Sequence, residues 1–261
     1  MRIGFYQFSP IFGDKQANHD KIAKLFNVNT DLIVLPELCN TGYLFKSRTE
    51  LKNLAENIPN GETTRLLMQI ARKKNLAIVA GLAEKYKGIL YNSSVFVTPS
   101  GKVHTYRKAH LFCDEKFYFT RGNTKFQAYK YKNSKIGMLI CFDYIFPEAC
   151  RSLVLHGAEI VCQPANLILP YAERVTISRA IENRVFIVLA NRIGFEKRGK
   201  KHIQFIGRSQ IVTPTGEVIA KASYDEEEIK IVNIYHKLAI NKNVTKYNNI
   251  LKDRRVDLYF K

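Results

Sequence analysis

The chain has 261 residues, of which 46% are hydrophobic and 25% charged, and its 41 Lys and Arg outnumber its 23 Asp and Glu. This composition excludes an extensively disordered or fibrous protein, and the length allows one large α/β domain or two small ones. The net charge of +18 is spread over the whole chain, so we interpret most of it as a background preference for lysine.

The five cysteines contain no CxxC pair, and the opening segment MRIGFYQFSP has no long apolar run. Both features are typical of a protein with free thiols in a reducing compartment. The longest apolar runs are far shorter than the ~20 residues that span a bilayer. We therefore expect a cytoplasmic protein without a membrane anchor.

Short strand-like runs alternate with amphipathic runs, which indicates an α/β protein. In the N-terminal half the pattern predicts strand 2–8, helix 15–26, strand 31–36, helix 63–74, strand 76–83 and a hairpin of 90–98 with 103–107. The hairpin turn is Pro99-Ser100-Gly101-Lys102. A hairpin beside strand–helix units requires mixed rather than purely parallel sheets.

The C-terminal half repeats this alternation. It predicts strand 136–140, helix 147–156, strand 158–162, helix 171–183, strand 185–191 and a second hairpin of 210–212 with 217–222. The lysine-rich segment 196–202 is interpreted as a solvated hairpin loop. The sequence contains no internal repeat and no Gly/Ser linker, so we predict a single domain over residues 1–261.

The segment 116–135 is the strongest candidate for nucleic-acid binding, because it interleaves six Lys and Arg with six aromatic residues. However, residues 126–131 alternate as in a half-exposed strand, which explains the same pattern more simply. We therefore expect no nucleic-acid partner.

The sequence lacks several strong catalytic signatures. It contains no GxSxG elbow, P-loop, GxGxxG or HExxH motif, which argues against serine hydrolases, nucleotide-phosphate enzymes and zinc proteases. His104 and His110 have no neighbouring ligand residues, so we expect no metal site.

Three chemically useful side chains stand where a predicted strand ends: Glu37, Lys108 and Cys141. In α/β sheets such strand ends meet at a crevice that binds ligands. Taken singly, each has an ordinary explanation: Glu37 as a capping carboxylate, Lys108 as a surface lysine and Cys141 as a buried thiol. Together they supply a base, a cation and a nucleophile for acyl transfer.

The chemistry of acyl transfer explains these residue types. A thiol with a pKa near ~8.5 is mostly protonated at neutral pH, so a carboxylate must take its proton or a cation must stabilise the thiolate. Attack on an amide carbon places negative charge on oxygen, which requires donors fixed in advance. The Lys108 ammonium and the backbone N–H of Phe142 would be such donors.

These segments resemble the Glu–Lys–Cys motifs of the nitrilase superfamily of carbon–nitrogen hydrolases. The motifs read LPELCNTGY (35–43), YRKAHLF (106–112) and CFDYIFPE (141–148). Flanking segments agree as well: RIGFYQFSP (2–10), IPNGETT (58–64), LYNSSVFVTPSG (90–101), HGAEIVCQPAN (156–166) and RAIENRVFIVLANRIG (179–194). The resemblance covers almost the whole chain and implies a four-layer α-β-β-α sandwich with two mixed β-sheets and no cofactor.

The resemblance also implies further site residues. The family often has a second glutamate beyond the lysine, and its spacing favours Glu115 over Asp114. Tyr43 and Asn166 match family positions near the site and are candidate substrate-binding residues. Glu148 matches as well, but we interpret it as structural because a carboxylate stabilises the first turn of a helix.

Relatives in this family associate through the helices that correspond to 147–156 and 170–183, so we expect a homodimer or a higher homo-oligomer. A plausible apolar interface patch consists of Leu153, Val154, Tyr171, Val175 and Ile177. Packing in the core of the monomer would explain some of these residues equally well.

We predict a hydrolase that cleaves a non-peptide C–N bond of a small linear amide through a Cys141 thioester and releases ammonia or an amine. The following Phe142-Asp143 is closer to the amidase and carbamoylase branches than the Trp-Glu usual in nitrilases. A pocket lined by Phe142, Tyr144 and Phe146 would favour an uncharged substrate, since burying an unpaired carboxylate costs several kcal/mol.

Three alternatives remain at this point. An aliphatic nitrilase and an N-carbamoyl amine hydrolase use the same triad and differ only in the substrate. A catalytically silent binding module is a more distant alternative, because such a module has no reason to keep Glu37, Lys108 and Cys141 together.

Overall fold

The computed structural model describes residues 1–259. One six-stranded sheet contains, in spatial order, β14 (Glu228–Asn233), β1 (Arg2–Gln7), β2 (Leu32–Val34), β3 (Ala77–Tyr86), β4 (Ile89–Val97) and β5 (Val103–Arg107). Strands β1, β2 and β3 are parallel, and the other neighbours are antiparallel. The sheet is therefore mixed.

The second six-stranded sheet has the same plan. Its spatial order is β13 (Val218–Lys221), β12 (Gln210–Val212), β9 (Phe186–Ala190), β8 (Ile160–Pro164), β7 (Ser134–Met138) and β6 (Ala128–Tyr131). Strands β7, β8 and β9 are parallel, and antiparallel strands flank them. A separate antiparallel hairpin joins β10 (Phe195–Arg198) to β11 (Lys201–Gln204).

Six α-helices accompany the sheets in the part of the chain that the structure describes. They are α1 (Lys15–Ala23), α2 (Arg48–Leu54), α3 (Glu62–Lys74), α4 (Glu115–Tyr118), α5 (Pro147–Leu155) and α6 (Ala172–Asn183). Short 3₁₀ helices occupy 24–27, 141–145 and 236–239. Between residues 1 and 259, no helix has the length and apolar character needed to cross a membrane.

The alternation of side chains along the central strands defines the layers. On β1 and β7, Ile3, Phe5, Ile136 and Met138 point into one core between the two sheets. The opposite face of the first sheet packs on α1 and α3, and that of the second packs on α5 and α6. Because both faces are covered, the central strands are mostly apolar. These layers confirm the α-β-β-α sandwich with two mixed sheets.

Several predicted boundaries differ from the structure. The helix predicted over 15–26 ends at Ala23 and continues as a 3₁₀ turn over Lys24–Asn27. The sequence pattern predicts neither strand β14 nor helix α2. Strand β14 gives a weak signal because it is a partly exposed edge strand with charged residues. The segment 196–202 forms most of the β10–β11 hairpin and is largely exposed, as predicted, but the side chain of Glu196 is buried.

Two tyrosine rings of the basic segment 116–135 pack within the fold. Tyr129 stacks on His104 with ring centroids 4.0 Å apart, and the Tyr131 hydroxyl donates to the carbonyl of Asp31 at 3.0 Å. Both tyrosines lie on β6, at the edge of the second sheet. Packing against the first sheet thus accounts for these aromatics.

The predicted interface patch is partly wrong. Leu153 and Val154 are 1% and 2% exposed and belong to the core beneath α5, because their side chains pack against the second sheet. Tyr171 is exposed, as are Leu155 and Ile181 on the same pair of helices.

Candidate active site

Glu37, Lys108 and Glu115 meet in one buried cluster. The Nζ of Lys108 donates to Oε1 of Glu37 at 2.7 Å and to Oε1 of Glu115 at 2.8 Å. None of the three residues is more than 3% exposed. Burial by itself lowers the pKa of Lys108, but the two carboxylates outweigh it and hold that pKa above its ordinary value. Lys108 therefore remains an ammonium.

Glu37 follows β2 and is held from two neighbouring strands. Asn92 on β4 donates from Nδ2 to Oε1 of Glu37 at 2.7 Å. A Cβ at Gly81 on β3 would lie 2.4 Å from the Cα of Glu37, so only glycine allows this close approach. The second oxygen, Oε2, accepts no hydrogen bond from any residue in 1–259. This oxygen is therefore available to accept a proton.

Glu115, the first residue of α4, receives three donors. Its Oε1 accepts from Lys108 and from the Tyr43 hydroxyl at 2.9 Å, and its Oε2 accepts from the backbone N–H of Phe112 at 3.2 Å. Burial raises the pKa of Glu115 to about 7, while Lys108 opposes that change and Glu37 adds to it. The three donors favour the ionised form and burial favours the neutral form, so Glu115 is ionised above about pH 7.

Cys141 opens a 3₁₀ turn directly beyond β7 and is 6% exposed. Its φ of 41° lies in the left-handed region, which costs a non-glycine residue roughly 1–2 kcal/mol. Burial, followed by the charge of Glu37, raises the pKa of the Cys141 thiol, while Lys108 lowers it. The thiol is therefore protonated at rest and needs a base before it can attack.

Asp143 joins the turn of Cys141 to the loop that carries Lys108. Its Oδ2 accepts from the Ile140 N–H at 2.9 Å and from the Tyr106 hydroxyl at 2.8 Å. Its Oδ1 accepts from the His110 N–H at 3.2 Å and lies 2.8 Å from Nδ1 of the same residue. One buried carboxylate thus fixes the relative positions of both loops.

A cavity of about 10 Å³ borders Cys141. That volume is close to the space that one water molecule needs. The cavity is lined by Phe112, Cys141, Phe142, Tyr144, Asn166, Leu167, Ile168, Leu169 and Ala172. Oδ1 and Nδ2 of Asn166 are buried and have no hydrogen-bond partner among the described residues. Asn166 therefore offers one acceptor and one donor group next to the thiol.

A second cavity of about 60 Å³ lies on the Glu115 side. Its polar walls include Tyr43 and Glu115, and most of its remaining lining is apolar, including Leu44, Phe45, Phe119 and Ile203. The two cavities share Phe112 and Ile168 as lining residues. The two small cavities therefore adjoin each other, and Glu115 is the member of the charged cluster that lines the larger one.

The structure thus brings together eight of the nine predicted site residues. Phe142 and Tyr144 line the cavity at Cys141, whereas Phe146 does not. Its ring stacks on His110 with centroids 3.8 Å apart, at the start of α5. Phe146 supports the loop after Lys108 instead of forming a pocket wall. Glu148 is exposed in the first turn of α5, which agrees with a structural role.

Sequence patterns do not single out three residues that position the site. Asn92 and Asp143 hold Glu37 and the turn of Cys141, and the Glu196 carboxylate accepts from the N–H groups of Tyr43 and Leu44. Asn92 could have been recognised from the sequence, because Asn92-Ser93-Ser94 places three polar residues, all buried, in an otherwise apolar strand. Glu196 gives no such signal within its lysine-rich hairpin. No group of three or more His, Cys, Asp or Glu within residues 1–259 is placed to hold a metal ion.

Comparison with known proteins agrees with this geometry. A family model described as carbon-nitrogen hydrolase matches residues 2–240. The chain is 44% identical to a protein named nitrilase from Pyrococcus abyssi, with 100% of both chains covered. It is 35% identical to an (R)-stereoselective amidase from Pseudomonas sp, over 99% of this chain and 93% of the relative.

Among solved structures, the crystal structure of a carbon-nitrogen hydrolase from Helicobacter pylori G27 matches with a TM-score of 0.90 and 30% identity, covering 99% of this chain and 97% of that one. The chain belongs to the carbon-nitrogen hydrolase family, within the nitrilase superfamily. It is an enzyme that hydrolyses carbon–nitrogen bonds.

Proposed function

We propose that this hydrolase cleaves a small neutral linear amide, with Cys141 as nucleophile, Glu37 as general base and Lys108 as the cation that stabilises the oxyanion. The observation that carries the proposal is the buried Lys108 ammonium, which is hydrogen-bonded to both Glu37 and Glu115. The charges of these three residues are close enough to Cys141 to shift the pKa of its thiol. A base, a cation and a nucleophile are there held together out of water.

Acylation follows from these positions. Glu37 takes the Sγ proton of Cys141 on its free Oε2, and the thiolate attacks the amide carbon. Lys108 and the N–H of Phe142, at the start of the 3₁₀ turn where backbone donors lack helical partners, stabilise the oxyanion. The C–N bond then breaks as Glu37 returns the proton to the leaving nitrogen, which departs as ammonia or an amine.

Hydrolysis of the thioester repeats the sequence with water. Glu37 takes a proton from the water, whose oxygen attacks the thioester carbon while Lys108 again faces the oxyanion. The C–S bond breaks, the acid product leaves, and the proton returns to Cys141. Glu115 remains ionised throughout and, with Tyr43, holds the Lys108 ammonium in place.

The charges of the site support a neutral substrate. Above about pH 7, where Glu115 is ionised, two carboxylates face the single ammonium of Lys108, so negative charge is in excess in the cluster. A substrate carboxylate would be repelled by this charge and would find mainly apolar walls.

Asn166 supports an amide over a nitrile. A primary amide has a carbonyl oxygen that accepts from Nδ2 of Asn166 and N–H groups that donate to Oδ1. A nitrile offers one acceptor and no donor, so Oδ1 would remain buried without a partner, which costs free energy. A nitrile is nevertheless the second candidate substrate, because the Pyrococcus abyssi relative is named nitrilase and a thiolate attacks a nitrile carbon as well.

The test compares kcat/KM, measured by ammonia release, for a short neutral aliphatic amide, the matching nitrile and the matching ω-carboxylated amide. We expect the neutral amide to have the highest value. If kcat/KM for the nitrile is at least tenfold higher than for the amide, equivalent to ~1.4 kcal/mol of transition-state stabilisation, the function is nitrile hydrolysis.

Two cysteine variants are the controls for this comparison. Cys141→Ala should abolish turnover of every substrate while the circular dichroism spectrum and the melting temperature stay close to those of the wild type. Cys150→Ala removes a thiol in the core between α5 and the second sheet, where it lines neither cavity, and should keep turnover. Loss of activity in Cys150→Ala with retention in Cys141→Ala would show that Cys141 is not the nucleophile.

We further propose that residues 1–261 form one domain that acts in the cytoplasm as a homodimer or higher homo-oligomer. The free state of all five thiols supports a reducing compartment. The core shared by both sheets supports a single domain. Exposed apolar side chains on α5 and α6 support self-association.

A further inference from the structure

A fully buried ion pair lies next to the active site without touching the reacting groups. The Nη1 of Arg192 donates to Oε1 of Glu196 at 2.5 Å, and Nη2 donates to the carbonyl of Pro10 at 3.2 Å. Arg192 is 0% exposed and Glu196 is 6% exposed. Because removing two charges from water is costly, such a pair needs an explanation beyond the stability of the fold.

Glu196 holds the loop that carries Tyr43. Its Oε1 accepts from the Tyr43 N–H at 3.0 Å, and its Oε2 accepts from the Leu44 N–H at 2.7 Å. Gly42 permits this contact, since it has a φ of +82° and a Cβ there would lie 2.9 Å from Oε1 of Glu196. The loop is shaped to bring its backbone onto this one carboxylate.

The same segment of chain also holds the ring of Tyr43. The Arg192 guanidinium lies 4.0 Å from the ring centroid of Phe205, and the Phe205 ring meets the Tyr43 ring edge-on at 6.0 Å. Tyr43 is therefore fixed through its backbone by Glu196 and through its ring by Phe205. Its hydroxyl then reaches Oε1 of Glu115 at 2.9 Å.

We propose that Arg192 and Glu196 are positioning residues, which hold the Tyr43 hydroxyl on Glu115 and thereby keep Glu115 ionised beneath the Lys108 ammonium. This inference rests on the proposed function and assigns a role in it to residues that touch neither the substrate nor the thiol.

The consequence is a defined pH dependence. The charged and titratable groups that face Glu115 are Lys108, Glu37, Tyr43 and the Cys141 thiol. The pKa of Glu115 is about 7, so activity that needs its ionised form is present above that pH and is lost as the pH falls through it. A hydrogen bond from Tyr43 favours the ionised form, so its loss moves the acid limb of kcat/KM to higher pH.

The experiment is a double-mutant cycle on that acid limb, measured with the neutral amide. Glu196→Gln and Tyr43→Phe should each move the limb upward by roughly 0.5–1 pH unit. The double variant should move it no further than Tyr43→Phe alone, because both changes act through the same hydroxyl. Phe205→Leu keeps the ion pair, should move the limb in the same direction, and serves as the second variant if Glu196→Gln does not fold.

Glu56→Gln is the matched control. Glu56 is likewise 6% exposed, accepts from the Thr63 N–H at 2.9 Å and pairs with Lys15 at 3.3 Å. Within residues 1–259, it is hydrogen-bonded to the Tyr43 loop only through the Asn40 side chain, at 3.3 Å, and does not accept from the Tyr43 or Leu44 N–H. The Glu56→Gln variant should have a lower melting temperature, and the acid limb of its kcat/KM should stay at the wild-type pH. An unmoved limb in Glu196→Gln, additive shifts in the double variant, or an equal shift in Glu56→Gln would overturn the inference. A wild-type enzyme without amide turnover would instead overturn the proposed function.

Discussion

Lys108 shows how tightly the site constrains a single residue. Its ammonium is entirely buried and lies 2.7 Å and 2.8 Å from two carboxylate oxygens that are themselves held by other donors. An ammonium is a compact charge that fits between these oxygens. A guanidinium is planar and larger and presents its donors in a fixed fork, so the two cations are not equivalent here.

Lys108→Arg should therefore be nearly as damaging as Lys108→Ala. We expect both variants to lose about 10²–10³-fold in kcat, the effect typical of removing one oxyanion donor. The measurement is steady-state ammonia release at saturating amide. Lys130→Arg, at an exposed position on β6, is the matched control and should be neutral. Near wild-type kcat in Lys108→Arg would mean that only the charge matters.

At the scale of elements, the site depends on strained turns that follow a strand or precede a helix. Leu38, Cys113 and Cys141 all have positive φ values, and each lies in the turn that presents Glu37, Glu115 or the thiol itself. A left-handed non-glycine residue persists only where packing and hydrogen bonds hold it. For the turn of Cys141, Asp143 provides those hydrogen bonds.

Asp143→Asn tests this role. Asparagine has one acceptor oxygen where aspartate has two, so its NH₂ group would face either Ile140 N–H and Tyr106 OH or the donors of His110. We expect a loss of about 1–3 kcal/mol in the free energy of unfolding and a fall of roughly tenfold or more in kcat, because the nucleophile is displaced.

Calorimetry and steady-state kinetics measure the two effects of Asp143→Asn. The control is Asp225→Asn at an exposed position of the chain, which should change neither. Wild-type melting temperature and wild-type kcat in Asp143→Asn would show that the turn is held by packing alone.

At the scale of the whole molecule, α5 and α6 expose apolar side chains on the outer layer of the sandwich. Leu155, Tyr171 and Ile181 are 48%, 42% and 49% exposed. Exposed apolar side chains on two helices that pack together form a candidate interface between two copies related by twofold symmetry, in which the same face meets itself.

Light scattering at micromolar concentration should therefore give at least twice the chain mass of 30.0 kDa. Ile181→Lys should shift the protein toward the monomer, because a charge buried in an interface loses its hydration. Ile11→Lys, at an equally exposed position outside α5 and α6, is the control and should leave the mass unchanged. A monomeric wild-type protein would refute the expected assembly.

The sequence by itself indicated an α/β fold with mixed sheets and singled out the three residues that we propose as the catalytic triad. Strands covered on both faces must be mostly apolar, so a charged or reactive residue at the end of such a run is conspicuous. Glu37 and Cys141 close such apolar runs, and Lys108 closes the half-buried second strand of the first hairpin. All three stand out without any family resemblance. The resemblance then added Glu115 and Tyr43, which the structure places in hydrogen-bond contact with each other.

Only the tertiary structure decided how these residues are held. Asn92 is 55 residues from Glu37, Tyr106 is 37 from Asp143, and Glu196 is 153 from Tyr43. Periodicity reports whether a side chain is buried, because burial recurs with the pitch of a helix or the pleat of a strand. A hydrogen bond depends instead on a few tenths of an ångström between segments far apart in the chain, which no local pattern encodes.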